Sequence, residues 1–179
     1  MQESMVAKVR TWEPVEAEVV SALSRVDAAA VQQLHDVFES SEPRYFFTGQ
    51  GRSGFIAQMG AMRLMQVGRR AHVVGEATAP AFCVGDVLVV VSGSGSTPTS
   101  LLYAQQASRL GGRVCCLTAI PDSPIGVLSR PCVHVPTEGT AQFGQVLFTQ
   151  VAMLLFDGMV LDLGGRDFVV QRGNHANLQ

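Results

Sequence analysis

The sequence predicts an α/β fold in which a parallel sheet is covered by helices on both faces. Short, uncharged apolar runs rich in Val alternate along the chain with segments whose apolar residues recur at helical spacing, the pattern of successive strand–helix units. Two of those runs also end directly in glycine-rich, polar loops, Gly49-Gln50-Gly51-Arg52-Ser53-Gly54 and Ser92-Gly93-Ser94-Gly95-Ser96-Thr97. A parallel α/β sheet keeps its ligand loops at the carboxyl ends of its strands.

In chain order, residues 15–38 place Val19, Val20, Leu23, Val26, Val31, Leu34, Val37 and Phe38 at roughly helical spacing with a break near Asp27, so one long helix or two short ones are expected. Residues 45–48 read as a short buried strand, 54–67 as a helix, 71–74 as a second strand and 87–91 as a third. A helix is expected over 97–110, because Pro98 suits a first turn that needs no N–H and Gly111-Gly112 ends it. Strands over 113–118 and 132–135 and a long apolar helix over 145–163 complete the alternation. One domain is expected over residues 1–179, with an N-terminal helical segment (1–40), a sheet core (41–165) and a C-terminal tail (166–179).

Composition narrows the function. Hydrophobic residues make up 47% of the 179, enough for one sizeable core, whereas charged residues make up only 16%, against about a quarter in an average soluble domain. More surface is therefore covered than a monomer hides, and a homodimer or homotetramer is expected. The helix from Val146 to Leu163, interrupted by Gln150 and Asp157, suits a buried subunit interface better than a membrane. A net charge of -2, without basic tracts interleaved with aromatics, argues against nucleic acid as the main partner.

Cys83, Cys115, Cys116 and Cys132 show no CxxC spacing and read as buried free thiols, with the adjacent Cys115 and Cys116 pointing to opposite faces of a strand. There is no secretory pattern around Glu3 and no stretch of about 18 uncharged apolar residues, so a cytoplasmic protein without a membrane partner is expected. His35, His72 and His134 are scattered, which argues against a metal site, and Met59, Met62 and Met65 read as core or interface packing.

The loop after residues 87–91 has the makings of an anion cradle. Its glycines let the backbone turn and bring N–H groups close to an anion, Ser92, Ser94, Ser96 and Thr97 offer hydroxyls, and a helix starting near Thr97 aims its positive end at the same place. The loop at residues 49–54 matches G-x-G-x-x-G, and Glu76 follows the second strand where a dinucleotide-binding fold keeps its ribose-binding acid, so an NAD(P)-dependent oxidoreductase is one reading. Two anion-friendly loops converging on one sheet edge fit a small sugar phosphate better, one loop holding the phosphate and the other the sugar. Arg52 either reaches that phosphate or forms a surface ion pair.

Gly51-Arg52-Ser53-Gly54, Ala61-Met62-Arg63-Leu64, Val74-Gly75-Glu76, the loop from Ser92 to Thr97 and the terminal His175-Ala176-Asn177-Leu178 together resemble the 6-phospho-3-hexuloisomerases of the sugar isomerase (SIS) domain superfamily, over nearly the whole chain. The resemblance implies a three-layer αβα sandwich with a five-stranded, flavodoxin-like parallel sheet. It further implies a tetramer, no metal or other cofactor, and interconversion of D-arabino-3-hexulose 6-phosphate and fructose 6-phosphate in formaldehyde assimilation. On this pattern Gly51, Arg52, Ser53 and the stretch Ser92, Gly93, Ser94, Gly95, Ser96 and Thr97 hold the substrate.

Moving a carbonyl between neighbouring carbons through an enediolate requires a base and donors for the developing oxyanion. Family members carry Met-Gly-x-x-Phe-Glu at the start of the last long helix, with the Glu as proton acceptor. Here the pattern departs: with Phe148 as the motif's Phe, Gln145 stands at the glycine and Thr149 at the Glu. An unactivated hydroxyl does not ionise near neutral pH. The tail also ends in Gln179 rather than Glu, with Asn174 before His175. His175, whose ordinary pKa suits proton transfer and whose tail reaches a neighbouring subunit in the family architecture, and Glu76, at a strand end, are the candidate bases; Glu138 reads as a solvated loop residue. A catalytically silent sugar-phosphate-binding module is the alternative that Thr149 favours.

Overall fold

The structure, a computed structural model, describes residues 10–164 and 168–177; Glu3, Leu178 and Gln179 lie outside them. Five strands, β1 (Tyr45–Gly49), β2 (Ala71–Val73), β3 (Val87–Val91), β4 (Arg113–Thr118) and β5 (Cys132–His134), form one parallel sheet in the order β2-β1-β3-β4-β5. The register pairs Tyr45 with Val87 and Gly49 with Val91, so β1 and β3 finish level and their loops leave the sheet side by side. From β1 the chain winds outward to β2, and from β3 it winds the other way to β5. The gap between β1 and β3 is thus the topological switch point, where such sheets bind ligands.

Helices α1 (Glu13–Ser24), α2 (Ala28–Glu39), α3 (Arg52–Gln66) and α6 (Val146–Leu163) cover one face, while α4 (Pro98–Arg109) and α5 (Pro124–Leu128) cover the other. The short α7 (Phe168–Gly173) lies against α3. Period-two alternation sends Phe47, Val89, Val91 and Cys115 into the larger core with Phe38, Phe148 and Phe156, and Phe46, Leu88, Val90 and Cys116 into the smaller one with Ala104 and Ile125. Cys115 and Cys116 do point to opposite faces.

The break near Asp27 resolves into two helices because the Asp27 carboxylate accepts the Ala29 N–H at 2.9 Å and caps α2. That helix ends against the sheet: Tyr45, fully buried, donates its hydroxyl to the Ser40 carbonyl at 2.7 Å with the Val37 carbonyl also in reach. Burial pushes the Tyr45 phenol up to about 12.

Several local expectations are corrected. Helices α5 and α7 were not expected; each is too short to show a period, although Ser123 before Pro124 caps α5 by accepting the Gly126 N–H at 3.3 Å. Cys83 is exposed rather than buried, because it sits in the loop before β3 instead of in a strand. Of the two places expected for Met62 and Met65, core or interface, the core is ruled out: they lie on the outer side of α3, whose core side is formed by Ala57, Ala61 and Leu64. By length and composition α6 could cross a bilayer, yet it packs against α1, α2 and α3, and its Asp157 pairs with Arg63 at 2.8 Å.

Candidate functional site

At the switch point the two glycine-rich loops and the start of α6 enclose a cavity of about 260 Å³, lined by Gln50, Arg52, Ser53, Ser92, Gly93, Ser94, Thr97 and Gln145. The sequence builds it by close backbone approach. A Cβ on Gly49 would come within 2.5 Å of the Ser53 carbonyl oxygen and 2.9 Å of that of Val91, so only glycine lets β1 turn into α3 while lying against β3. Gly51 follows with a φ of 56°, and α3 begins at Arg52, two residues earlier than the periodicity of its apolar residues suggests. The N-terminus of α3 consequently opens toward the cavity beside that of α4, which starts at Pro98 after Thr97.

The serine loop is braced from beneath. The Gly95 N–H reaches back to the Ser92 carbonyl at 3.0 Å, and Gly95 holds a φ of 59°, a conformation that disfavours any side chain. A Cβ there would lie 1.8 Å from the Ser123 hydroxyl oxygen. The Ile125 N–H donates to the Gly95 carbonyl at 2.9 Å, the Ala119 N–H to the Gly93 carbonyl at 3.0 Å, and the Thr118 hydroxyl to the same Gly93 oxygen at 3.4 Å. Thus β4 and α5 fix the loop's shape. On its open side, the Thr97 hydroxyl lies 3.4 Å from each of the Ser92 and Ser94 hydroxyls, three groups gathered toward one spot. These separations are long for hydroxyl pairs, so the hydroxyls spend little of their hydrogen-bonding capacity on one another.

Cationic character comes from Arg52, whose side chain lines the cavity and makes no ion pair among the described residues. Gln145, the residue before α6, lays its side chain across the loop: its Oε1 would be 2.3 Å from a Cβ on Gly93. Its amide has no partner among the described residues and is free for a ligand. The loop that delivers Gln145 is stapled to α1 by Glu18, which accepts the Thr140 hydroxyl at 2.6 Å, the Ala141 N–H at 2.8 Å and the Gln142 amide at 2.9 Å. The Thr140 bond first, then the other two, hold the Glu18 carboxyl below its ordinary value.

Of the residues singled out from the sequence, Arg52, Ser53, Ser92, Gly93, Ser94 and Thr97 share this cavity. Gly51, Gly95 and Ser96 do not line it; the two glycines shape the loops, and the Ser96 N–H donates to the Ser94 hydroxyl at 3.3 Å. Glu76 is exposed in a separate cavity of about 450 Å³ against α4, with Phe46, Tyr103 and Gln106. His175 is exposed in a third, of about 700 Å³, with Arg63, Gln66 and Arg172. Within one chain, neither reaches the cradle. Glu138 instead pairs with Arg25 at 3.2 Å.

Thr149 is buried one turn below Gln145, its hydroxyl donating to the Val146 carbonyl at 2.9 Å with the Gln145 carbonyl at 3.2 Å. Gln50 and Gln145 were not expected to line the site. Neutral amides carry no sequence signature, and only the packing of α6 over the serine loop brings Gln145 in.

The G-x-G-x-x-G loop and Glu76 thus open into different cavities, and 260 Å³ is small beside the roughly 300–1,000 Å³ of pockets that enclose drug-sized ligands. A cavity of this size does not enclose a dinucleotide. The five-stranded parallel sheet carries a hydroxyl-lined cavity at its switch point, and residues 39–160 match the SIS domain: the chain belongs to the SIS domain family. Within it, the chain is 38% identical over 144 residues to the 3-hexulose-6-phosphate isomerase of Mycobacterium gastri, covering 80% of this chain and 71% of that protein. It is 34% identical over 174 residues to the 3-hexulose-6-phosphate isomerase of Bacillus subtilis, covering 90% and 94%. The fold superposes on a crystal structure from Methanococcus jannaschii, for which a 3-hexulose-6-phosphate isomerase function was inferred, with a TM-score of 0.82 at 23% identity over 96% of this chain and 100% of that one.

Proposed function

We propose that this protein is a sugar-phosphate isomerase that interconverts D-arabino-3-hexulose 6-phosphate and fructose 6-phosphate. The observation that carries the reading is the cradle itself. The Ser92, Ser94 and Thr97 hydroxyls and the start of α4 converge on a site for a phosphate dianion. Arg52, Ser53, Gln50 and Gln145 face the same space, where the sugar's oxygens lie. The two curated relatives, named for this reaction, support the choice of substrate.

The chemistry is a proton transfer between adjacent carbons. A base removes the C2 proton of the 3-ketose, the electrons form the C2–C3 enediolate, and the proton returns to C3 while the carbonyl forms at C2. Neutral donors such as the Gln145 amide and the Ser53 hydroxyl stabilise the enediolate oxygens. Among the described residues the cavity lining holds no carboxylate or imidazole, so the base comes from elsewhere. Glu76 or His175 of a second copy in a homodimer or homotetramer is the source we favour, in a cytoplasmic enzyme serving formaldehyde assimilation. The same observation favours one other reading, a module that binds the sugar phosphate without turning it over.

Incubating the protein with fructose 6-phosphate in D₂O separates the two. Isomerase action replaces the C3 proton with deuterium, whereas binding alone exchanges nothing. Saturable binding with no exchange above the uncatalysed background would overturn the enzyme reading.

A further inference from the structure

We propose that Cys116 and Cys132 form a reversible oxidation site, a cross-strand dithiol that closes to a disulfide when a hydroperoxide reaches it. The two residues are register partners on β4 and β5, and their sulfurs lie 3.4 Å apart, with the Cys116 thiol directed at Cys132. Neighbouring strands run about 4.8 Å apart, inside the roughly 4.4–6.8 Å between Cα atoms that a disulfide spans. Closing the sulfurs to about 2.05 Å is a short movement, and β5 can make it because it is a three-residue edge strand paired on one side only.

The two thiols are unlike. Cys116 is fully buried, whereas Cys132 is half-buried at the sheet edge and is the one a small oxidant meets first. The Cys116 S–H pointed at it, and then the Arg130 charge, hold the Cys132 thiol below its ordinary value although burial pushes the other way. That same hydrogen bond, followed by burial, pushes the Cys116 thiol up. Such a pair divides the labour of a redox sensor, one sulfur attacking and the other resolving. The Cys132 thiolate attacks the peroxide O–O bond, forming a sulfenic acid and releasing one oxygen as water or alcohol. Cys116 sulfur then displaces the sulfenic hydroxyl, which leaves as water with the Cys116 proton. Two thiols are oxidised by two electrons and one hydroperoxide is reduced. Cys115, on the opposite face of the same strand with no cysteine partner, is the built-in control.

The site lies close to the functional loop, since two residues after Cys116 comes Thr118, whose hydroxyl braces the Gly93 carbonyl. The test uses the full chain with the exposed Cys83→Ser substitution, which leaves Cys115, Cys116 and Cys132. After hydrogen peroxide, alkylation under denaturing conditions should find Cys115 alone free. The intact mass should fall by about 2 Da, a Cys116–Cys132 cross-linked peptide should appear, and dithiothreitol should restore all three thiols. Adding Cys132→Ser should abolish the mass loss while Cys116 remains alkylatable after unfolding. Three free thiols after peroxide, or a sulfinic acid on Cys132 with Cys116 still free, would overturn the proposal.

Discussion

Removing the Ser94 hydroxyl tests the cradle at small cost to the fold. Ser94 lies 3.4 Å from the Thr97 hydroxyl and accepts the Ser96 N–H at 3.3 Å, both long contacts, so Ser94→Ala should cost under about 1 kcal/mol of stability. Its bond to a bound phosphate is charge-assisted, and losing it costs about 1.5–3 kcal/mol. The dissociation constant for fructose 6-phosphate should therefore rise roughly 10- to 150-fold. Ser96 is two residues away in the same loop but exposed and outside the cavity, so Ser96→Ala should leave affinity unchanged. Titration calorimetry with fructose 6-phosphate and with inorganic phosphate reads both variants. The phosphate arm matters because the loss should be of similar size for both ligands if Ser94 grips the phosphate. Unchanged affinity in Ser94→Ala, or an equal loss in Ser96→Ala, would refute the assignment.

Gly95→Ala should destabilise by about 2–5 kcal/mol, a left-handed penalty plus overpacking against Ser123, and lower Tm by roughly 4–20 °C in thermal denaturation; an unchanged Tm would mean the loop is not packed on α5 as described. Tyr45→Phe leaves the Ser40 and Val37 carbonyls without their donor and should cost about 1–3 kcal/mol by urea unfolding. The Tyr45 phenol is raised from 10 to about 12, which favours its protonated form in the fold. Its stabilisation is therefore complete below about pH 10 and lost as pH climbs toward 12, so the tyrosinate absorbance difference between wild type and Tyr45→Phe should emerge only near pH 12. Thr149→Glu puts a carboxylate in the first turn of α6, where the helix N-terminus favours it, and should raise C3 proton exchange by about 10²- to 10⁴-fold; a folded variant with no gain would show that Thr149 does not occupy the position of the family's base.

How much of this was legible beforehand depended on whether a feature was local. The strand at Val87–Val91 and the loop after it were readable because an uncharged β-branched run followed by alternating Ser and Gly has few other uses. The break at Asp27 was readable because a capping carboxylate announces itself. Helix α5, five residues long, has no period to detect. The roles of Gly49, Gly93 and Gly95 are set by what lies opposite: Val91, Gln145 and Ser123 come from distant parts of the chain. Gln145 itself looked like a mere departure from a motif. Its place over the cradle is a tertiary fact, set by the hold of Glu18 on the preceding loop and by the packing of α6 on the sheet.

The distribution of charge explains why the site is built to hold before it is built to react. On the proposed reading the ligand is a phosphate dianion, which needs donors and a positive potential, and neighbouring helix starts, three hydroxyls and Arg52 gather around a single cavity. A carboxylate base in that cavity, a few ångströms from the dianion, would be raised in pKa by like-charge repulsion and would weaken the grip on the substrate. Thr149 is buried one turn beyond Gln145 with its hydroxyl spent on backbone carbonyls, and it adds no charge there. On the proposed reading, a base supplied by a second copy escapes that conflict, because it is not fixed beside the phosphate donors. Glu76 and His175, exposed in cavities of their own, are the groups we propose for that role.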